Sequence, residues 1–156
     1  MATRPKDKGT RQETKFCQTA NDWAGESVAE RVALHGAHDQ GDIRLRVDDL
    51  TVCVESKYQK SYPTESEIAE FKEQTMAEWL AADTDCAVLL VNLPRRGFLR
   101  AEVWMLRSTL NLLWGGERED VTGSSTGLEH DWVRQTLLDF LWMCYGAPAW
   151  EDRRRA

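Results

Sequence analysis

Apolar residues recur along the chain with two different periods. Residues 42–47, Asp-Ile-Arg-Leu-Arg-Val, alternate with period two, as in a strand buried on one face. Residues 51–57, Thr-Val-Cys-Val-Glu-Ser-Lys, read the same way, and Asp48-Asp49 between them is turn material. A symmetric two- or four-residue loop sets Ile43 opposite Val54, Leu45 opposite Val52 and Val47 opposite Leu50. Every apolar pair then shares one face. The other face pairs Asp42 with Glu55, Arg44 with Cys53 and Arg46 with Thr51. An odd loop would mix the two faces.

Elsewhere the period is helical. Thr10-Arg11-Gln12-Glu13 has the capping-box pattern, Phe16, Ala20 and Trp23 follow at helical spacing, and Gly25 ends the element. Pro63 and a second capping box, Thr64 to Glu67, predict a helix over 65–82 with a stripe of Ile68, Phe71, Thr75, Met76, Trp79 and Leu80. Cys86 to Asn92 is a nearly continuous apolar run, which suits a central strand covered on both faces. Pro94 to Gly97 reads as a turn, Leu99 to Leu106 as a partner strand, and Thr109 to Trp114 as a short helix.

Residues 115–127 read as a linker, and 129–145 as an apolar helix with a stripe of Val133, Leu137, Phe140, Leu141 and Cys144. These boundaries predict a polar basic arm at 1–10, a core at 11–114, a linker at 115–127 and a C-terminal helix with a basic end at 128–156. The fold class is α/β: a mixed central sheet flanked by helices, with a C-terminal helical appendage.

Composition narrows the function. At 156 residues and 42% hydrophobic the chain has the length and composition of one globular domain. No apolar run approaches the roughly 20 residues of a membrane span, and the N-terminus lacks a secretory pattern, so no membrane association and a cytoplasmic location are expected. A net charge of −6 excludes a protein that coats nucleic acid by bulk positive charge. It leaves room for a nuclease, which needs local carboxylates and a local basic rim. Cys17, Cys53, Cys86 and Cys144 form no CxxC pair, so they are expected as reduced core residues. There is no GxxxxGK[ST] loop and no internal repeat. Trp23, Trp79 and Trp104 sit on predicted core faces, while Trp114, Trp132, Trp142 and Trp150 suggest an interface.

The chemistry gathers on the polar face of the predicted hairpin. Glu55 and Lys57 alternate onto one face, and the register adds Asp42 directly opposite Glu55. Cross-strand Cβ atoms lie about 4.5–5.5 Å apart. Two carboxylates that close repel unless a cation sits between them. Hard oxygen donors suit Mg²⁺ or Mn²⁺. An ordinary cross-strand charge cluster on a solvent face is the competing reading.

The segment from Lys8 to Leu106 resembles the PD-(D/E)XK, restriction-endonuclease-like nuclease superfamily, and within it the small Holliday-junction resolvases of bacteriophage type. Lys8-Gly9-Thr10 with Glu13 is similar to the family's N-terminal helix signature. Asp39-Gln40-Gly41-Asp42-Ile43 is similar to its DxGDI segment, and Val54-Glu55-Ser56-Lys57 to its (D/E)xK strand. Gln74 matches a recurring Gln in the helix that follows. The charged loop with Arg44, Arg46, Asp48 and Asp49 departs from the pattern, and the chain beyond Trp114 has no counterpart.

The resemblance implies that Asp42, Glu55 and the backbone carbonyl of Ser56 bind Mg²⁺ or Mn²⁺, and that Lys57 positions or activates water. Glu13 would complete the acidic site through a second metal or a water, and Gln74 would assist. Arg4, Lys6, Lys8, Arg11, Lys15, Arg44, Lys60 and His38 are the candidate DNA contacts, with His35 also close to the site. The implied activity is hydrolysis of four-way-junction or other branched DNA by a homodimer, leaving 5′-phosphates, in the host cytoplasm if phage-encoded. Three alternatives stay open: a repair or restriction nuclease on the same core, a non-catalytic DNA-binding or assembly protein, and an unrelated α/β protein. The last predicts that Asp42 and Glu55 do not face each other.

Overall fold

In the computed structural model the described residues are 5–32, 42–93, 95–115 and 131–151, with side chains from Gly9 onward in the first stretch. The first helix, α1 (Pro5–Ala24), begins six residues earlier than the capping box at Thr10 predicted. Proline is favoured at the first helical position, where its missing N–H costs nothing. Thr10 is interior, and its carbonyl accepts a hydrogen bond from Thr14 Oγ1 at 3.0 Å. The expected arm at 1–10 is therefore helical from Pro5 on, and residues 1–4 lie outside the described residues. Gly25 closes the helix at a φ of 73°, a value that favours glycine.

A short strand that the sequence did not announce, β1 (Ala29–Arg31), pairs antiparallel with β2 (Ile43–Val47). The hairpin from β2 into β3 (Leu50–Tyr58) has the expected register, with Ile43 opposite Val54, Leu45 opposite Val52 and Val47 opposite Leu50. The turn is the two-residue loop Asp48-Asp49, with Asp48 left-handed at a φ of 52°. Helix α2 (Glu65–Ala82) starts on the predicted reciprocal cap. Thr64 Oγ1 accepts from the Glu67 N–H at 3.2 Å, and the Thr64 N–H donates to Glu67 Oε2 at 2.9 Å. Its buried stripe is Ile68, Phe71, Thr75, Glu78 and Ala82. Leu80, expected on that stripe, is 83% exposed because the stripe turns through Glu78 instead.

Strand β4 (Cys86–Asn92) lies parallel to β3, as a strand–helix–strand crossover requires, and is almost wholly buried. A 3₁₀ turn at Phe98–Arg100 replaces the first residues of the predicted partner strand, which runs as β5 (Glu102–Leu106). Helix α3 (Arg107–Leu113) follows directly.

The region beyond differs most from expectation. Residues 116–130, most of the expected linker, lie outside the described residues. The predicted helix over 129–145 divides into a strand, β6 (Trp132–Thr136), and a shorter helix, α4 (Leu137–Tyr145). The strand pairs with β5, and the helix is capped by Thr136 Oγ1, which accepts from the Asp139 N–H at 3.1 Å. Five residues are too few to separate a period of 2 from one of 3.6 when the next element is helical.

Among the described residues six strands thus stand in chain order, β1-β2-β3-β4-β5-β6, and of these only β3 and β4 are parallel. One face carries the larger core, where Phe16, Ala20 and Trp23 of α1 meet Val52, Val54, Val88, Leu90, Val103 and the fully buried Leu137, Phe140 and Leu141 of α4. The other face is covered by α2, through Ile68 and Phe71 on Leu89 and Val91, and through Ala82 near Cys53 and Ala87. The architecture is α/β with a mixed sheet between helices. The four cysteines are free thiols, three of them buried.

Candidate functional site

The hairpin register delivers the polar face that the sequence implied. Asp42, just before β2, donates its N–H to Val54 O at 3.2 Å, and its Oδ2 accepts from the Ser56 N–H at 2.8 Å. This ties the Asp42 carboxyl beside Glu55, within reach of its charge and its hydrogen bonds. Glu55 is 3% exposed. Two residues on, Lys57 reaches back to Glu55 Oε1 at 2.6 Å, and its Nζ lies 5.5 Å from the Phe71 ring centroid.

The carboxyls are strained electrostatically. Burial, then the Glu55 charge, lifts the Asp42 pKa to about 7. Burial lifts Glu55 to about 8, and Glu78 of α2 pushes in the same direction through a shared hydrogen bond and like charge. Ionised carboxylates only accept hydrogen bonds, so Glu55 and Glu78 bond to each other only through a proton. Burial works against the Lys57 ammonium, but Glu55, Glu78 and Asp42 together outweigh it and raise its pKa. Lys57 therefore stays charged at neutral pH and balances part of the negative charge.

Glu13 of α1 stands at the edge of this cluster. It accepts from Arg31 Nε at 2.9 Å and is close enough for Asp42 to raise its pKa, after burial as the larger cause. The neighbouring Gln12 crosses to β3, where its Nε2 donates to Ser56 Oγ at 3.0 Å and to Lys57 O at 3.4 Å. Thus α1 fixes the position of the Glu55-Ser56-Lys57 stretch.

The structure brings Asp42, Glu55, Lys57 and Glu13 together and leaves Gln74 on the exposed side of α2. Glu78 and Gln12 were not anticipated. Glu78 belongs to a helix carrying several glutamates, where one more reads as solvent-facing. Only its position three residues after Thr75, on the buried stripe, marks it. Of the candidate DNA contacts, Arg11, Lys15 and Lys60 are exposed and Arg44 is half-buried. Arg4, His35, His38, Asp39, Gln40 and Gly41 lie outside the described residues, and nothing is described of the Lys6 and Lys8 side chains.

The donor set fits a small hard cation. Glu55 Oε2 is buried without a hydrogen bond of its own, beside a second carboxyl held above its ordinary range. Among the described residues no group of three or more His, Cys, Asp and Glu side chains forms a metal cage by itself. Magnesium commonly takes one or two carboxylates and completes its shell with water and substrate phosphate.

No family model matches the sequence, and no curated protein does. Among solved structures, the chain is similar to Hjc, a Holliday junction resolvase from the archaeal hyperthermophile Archaeoglobus fulgidus. The identity is 16% and the TM-score 0.48, over 85% of this chain and 99% of that one. No described helix is long and apolar enough to cross a membrane.

Proposed function

We propose that the protein is a divalent-metal-dependent DNA endonuclease of the resolvase type, acting on four-way junctions or other branched DNA. The observation that carries this reading is the pairing of two carboxyls, Asp42 and Glu55, with the Lys57 ammonium on one sheet face at the mouth of the β2–β3 hairpin. Asp42 and Glu55, with the Ser56 backbone carbonyl, would hold Mg²⁺ or Mn²⁺. When bound, such an ion supplies Lewis-acid polarisation of the phosphate and a more acidic water.

The chain's own groups do the rest. Lys57, with its pKa raised, is a poor proton acceptor at neutral pH. Its part is to donate hydrogen bonds, to a phosphate oxygen or to the attacking water, and to stabilise negative charge as it develops. Glu13, held by Arg31, orients water at the outer edge. Ser56, fixed by Gln12 from one side and by Asp42 from the other, keeps Glu55 and Lys57 in register. In-line attack of water would leave a 5′-phosphate. A homodimer with two-fold symmetry would set one site on each strand of a junction.

The test is cleavage of a labelled four-way junction and a linear duplex of the same arm sequence, with Mg²⁺ and with Mn²⁺. Paired symmetric cuts in the junction alone are expected, and Asp42→Ala or Glu55→Ala should abolish them while leaving junction binding. Cutting of both substrates would remove the junction preference and leave the nuclease. No cutting with either ion would overturn the enzyme reading, and full activity in either variant would overturn the site.

A further inference from the structure

The sheet end that carries Lys57 has a second feature on its α1 side. The C-terminal ends of β3 and β4, where Tyr58 stands opposite Asn92, form a groove with α1 and the turn after β4. Its volume is about 320 Å³, at the small end of the range for ligand sites. Arg11, Lys15 and Arg96 line it with Gln12, Tyr58, Asn92 and Phe98. No carboxylate is among these residues. None of the three cations forms an ion pair among the described residues, in a chain whose net charge is −6. Charges of one sign in a walled groove attract the opposite charge over a distance.

The groove also has aromatic surface. Tyr58 is 39% exposed, and Lys15 Nζ lies 5.1 Å from the Phe98 ring centroid. Gln12 forms part of the wall and donates through it to Ser56 and to Lys57 O. The groove and the carboxylate site are therefore neighbours, separated by the thickness of one strand. Three cations call for phosphate, and an exposed ring beside them calls for a planar, apolar face. A nucleotide has both.

We propose that this groove binds one unpaired nucleotide of a DNA strand, with its phosphates on Arg11, Lys15 and Arg96 and its base stacked on Tyr58. The proposal rests on the nuclease reading only for the identity of the polymer. Arg96 and Tyr58 are new contacts, contributed by a turn and a strand end outside the carboxylate site. Unpaired nucleotides occur where strands exchange or fray at a branch, so the groove would favour branched over linear DNA.

The test is fluorescence anisotropy in EDTA at low salt, which separates binding from cleavage. The probes are a labelled thymidine oligonucleotide and an abasic oligonucleotide of equal length. Wild type should bind the thymidine probe about ten-fold more tightly, the order expected of one stacked base. Tyr58→Ala should erase that preference and keep the backbone term. Arg96→Ala should weaken both probes and flatten the salt dependence by about one charge. Arg96 and Tyr58 are exposed, and melting curves for each variant confirm the fold. Equal affinity for the two probes in wild type, or wild-type binding by Arg96→Ala, would overturn the proposal. Groove binding together with an uncut junction would leave the groove standing and sink the nuclease. A cut junction with no base preference would do the reverse.

Discussion

Replacing Asp42 by Asn should stabilise the metal-free protein at alkaline pH and leave its stability nearly unchanged in acid. The Asn keeps an oxygen for the Ser56 N–H, so the hydrogen bond at 2.8 Å survives while the charge goes. In the folded protein the Asp42 carboxyl is raised from 3.8 to about 7. The folded state thus holds a proton that the unfolded state releases between about pH 4 and pH 7, and stability falls as pH rises through that window. At about 1.4 kcal/mol per unit, the shift sets a ceiling of about 4 kcal/mol on the penalty carried above the window. Asp42 is partly exposed, and some of its shift comes from Glu55, itself protonated until about pH 8. A net gain of about 1–3 kcal/mol is expected, or roughly 2–10 °C in Tm for a chain of this size. The assay is thermal melting followed by circular dichroism in EDTA, for both proteins, near pH 4 and near pH 8. A variant that melts at or below wild type near pH 8 would refute the electrostatic reasoning, as would an equal gain at both pH values. Adding Mg²⁺ should then raise the Tm of wild type and not of the variant, since binding to the folded state stabilises by mass action.

Two further substitutions test the packing. Phe140→Ala, at a fully buried position on α4, should cost about 3–5 kcal/mol and lower the urea midpoint accordingly; a cost under about 1 kcal/mol would place α4 outside the core. Gly25→Ala meets a left-handed φ of 73° and sets a new Cβ 2.7 Å from Ala149 Cβ. It should cost about 1–3 kcal/mol by urea unfolding, and a neutral result would mean that the α1 end and residue 149 are not packed as described.

The hairpin was legible in the sequence because two constraints agreed. Alternation fixed the faces, the two-residue turn fixed the register, and together they set Asp42 across from Glu55. The start of α1 was not legible, because Thr10 to Glu13 imitates a cap inside a helix that Pro5 had already begun. β6 was hidden because Val133 and Leu137 fit a helical stripe with Phe140, Leu141 and Cys144. Its strand character comes from the unpaired edge of β5, which is a tertiary fact. Glu78 was missed for a related reason. A glutamate on a helix is normally solvated, and the carboxyl of Glu55 across the interface is a tertiary partner that the sequence does not reveal. Gln74, one turn before Glu78 on the same helix, keeps its side chain exposed.

The contact between α1 and residues 137–150 bears on when the site can exist. Trp23 Nε1 donates to Gly146 O at 2.9 Å, and the Trp23 ring meets Trp142 and Trp150 edge to face. Phe16 and Ala20 lie in the same core cluster as Leu137, Phe140 and Leu141. During synthesis α1 therefore emerges well before α4, which covers part of its apolar face. Until α4 has docked, the part of α1 that meets Leu137, Phe140 and Leu141 is in water, and the helix is held by its packing on β1 and β3 and by the hydrogen bonds of Gln12 to Ser56 and Lys57 O. A nascent chain can pair β2 with β3, and so set Asp42 against Glu55, well before α4 is available to back the helix that completes the site. The helix that completes the chemistry is in this way backed by a segment that contributes none of it.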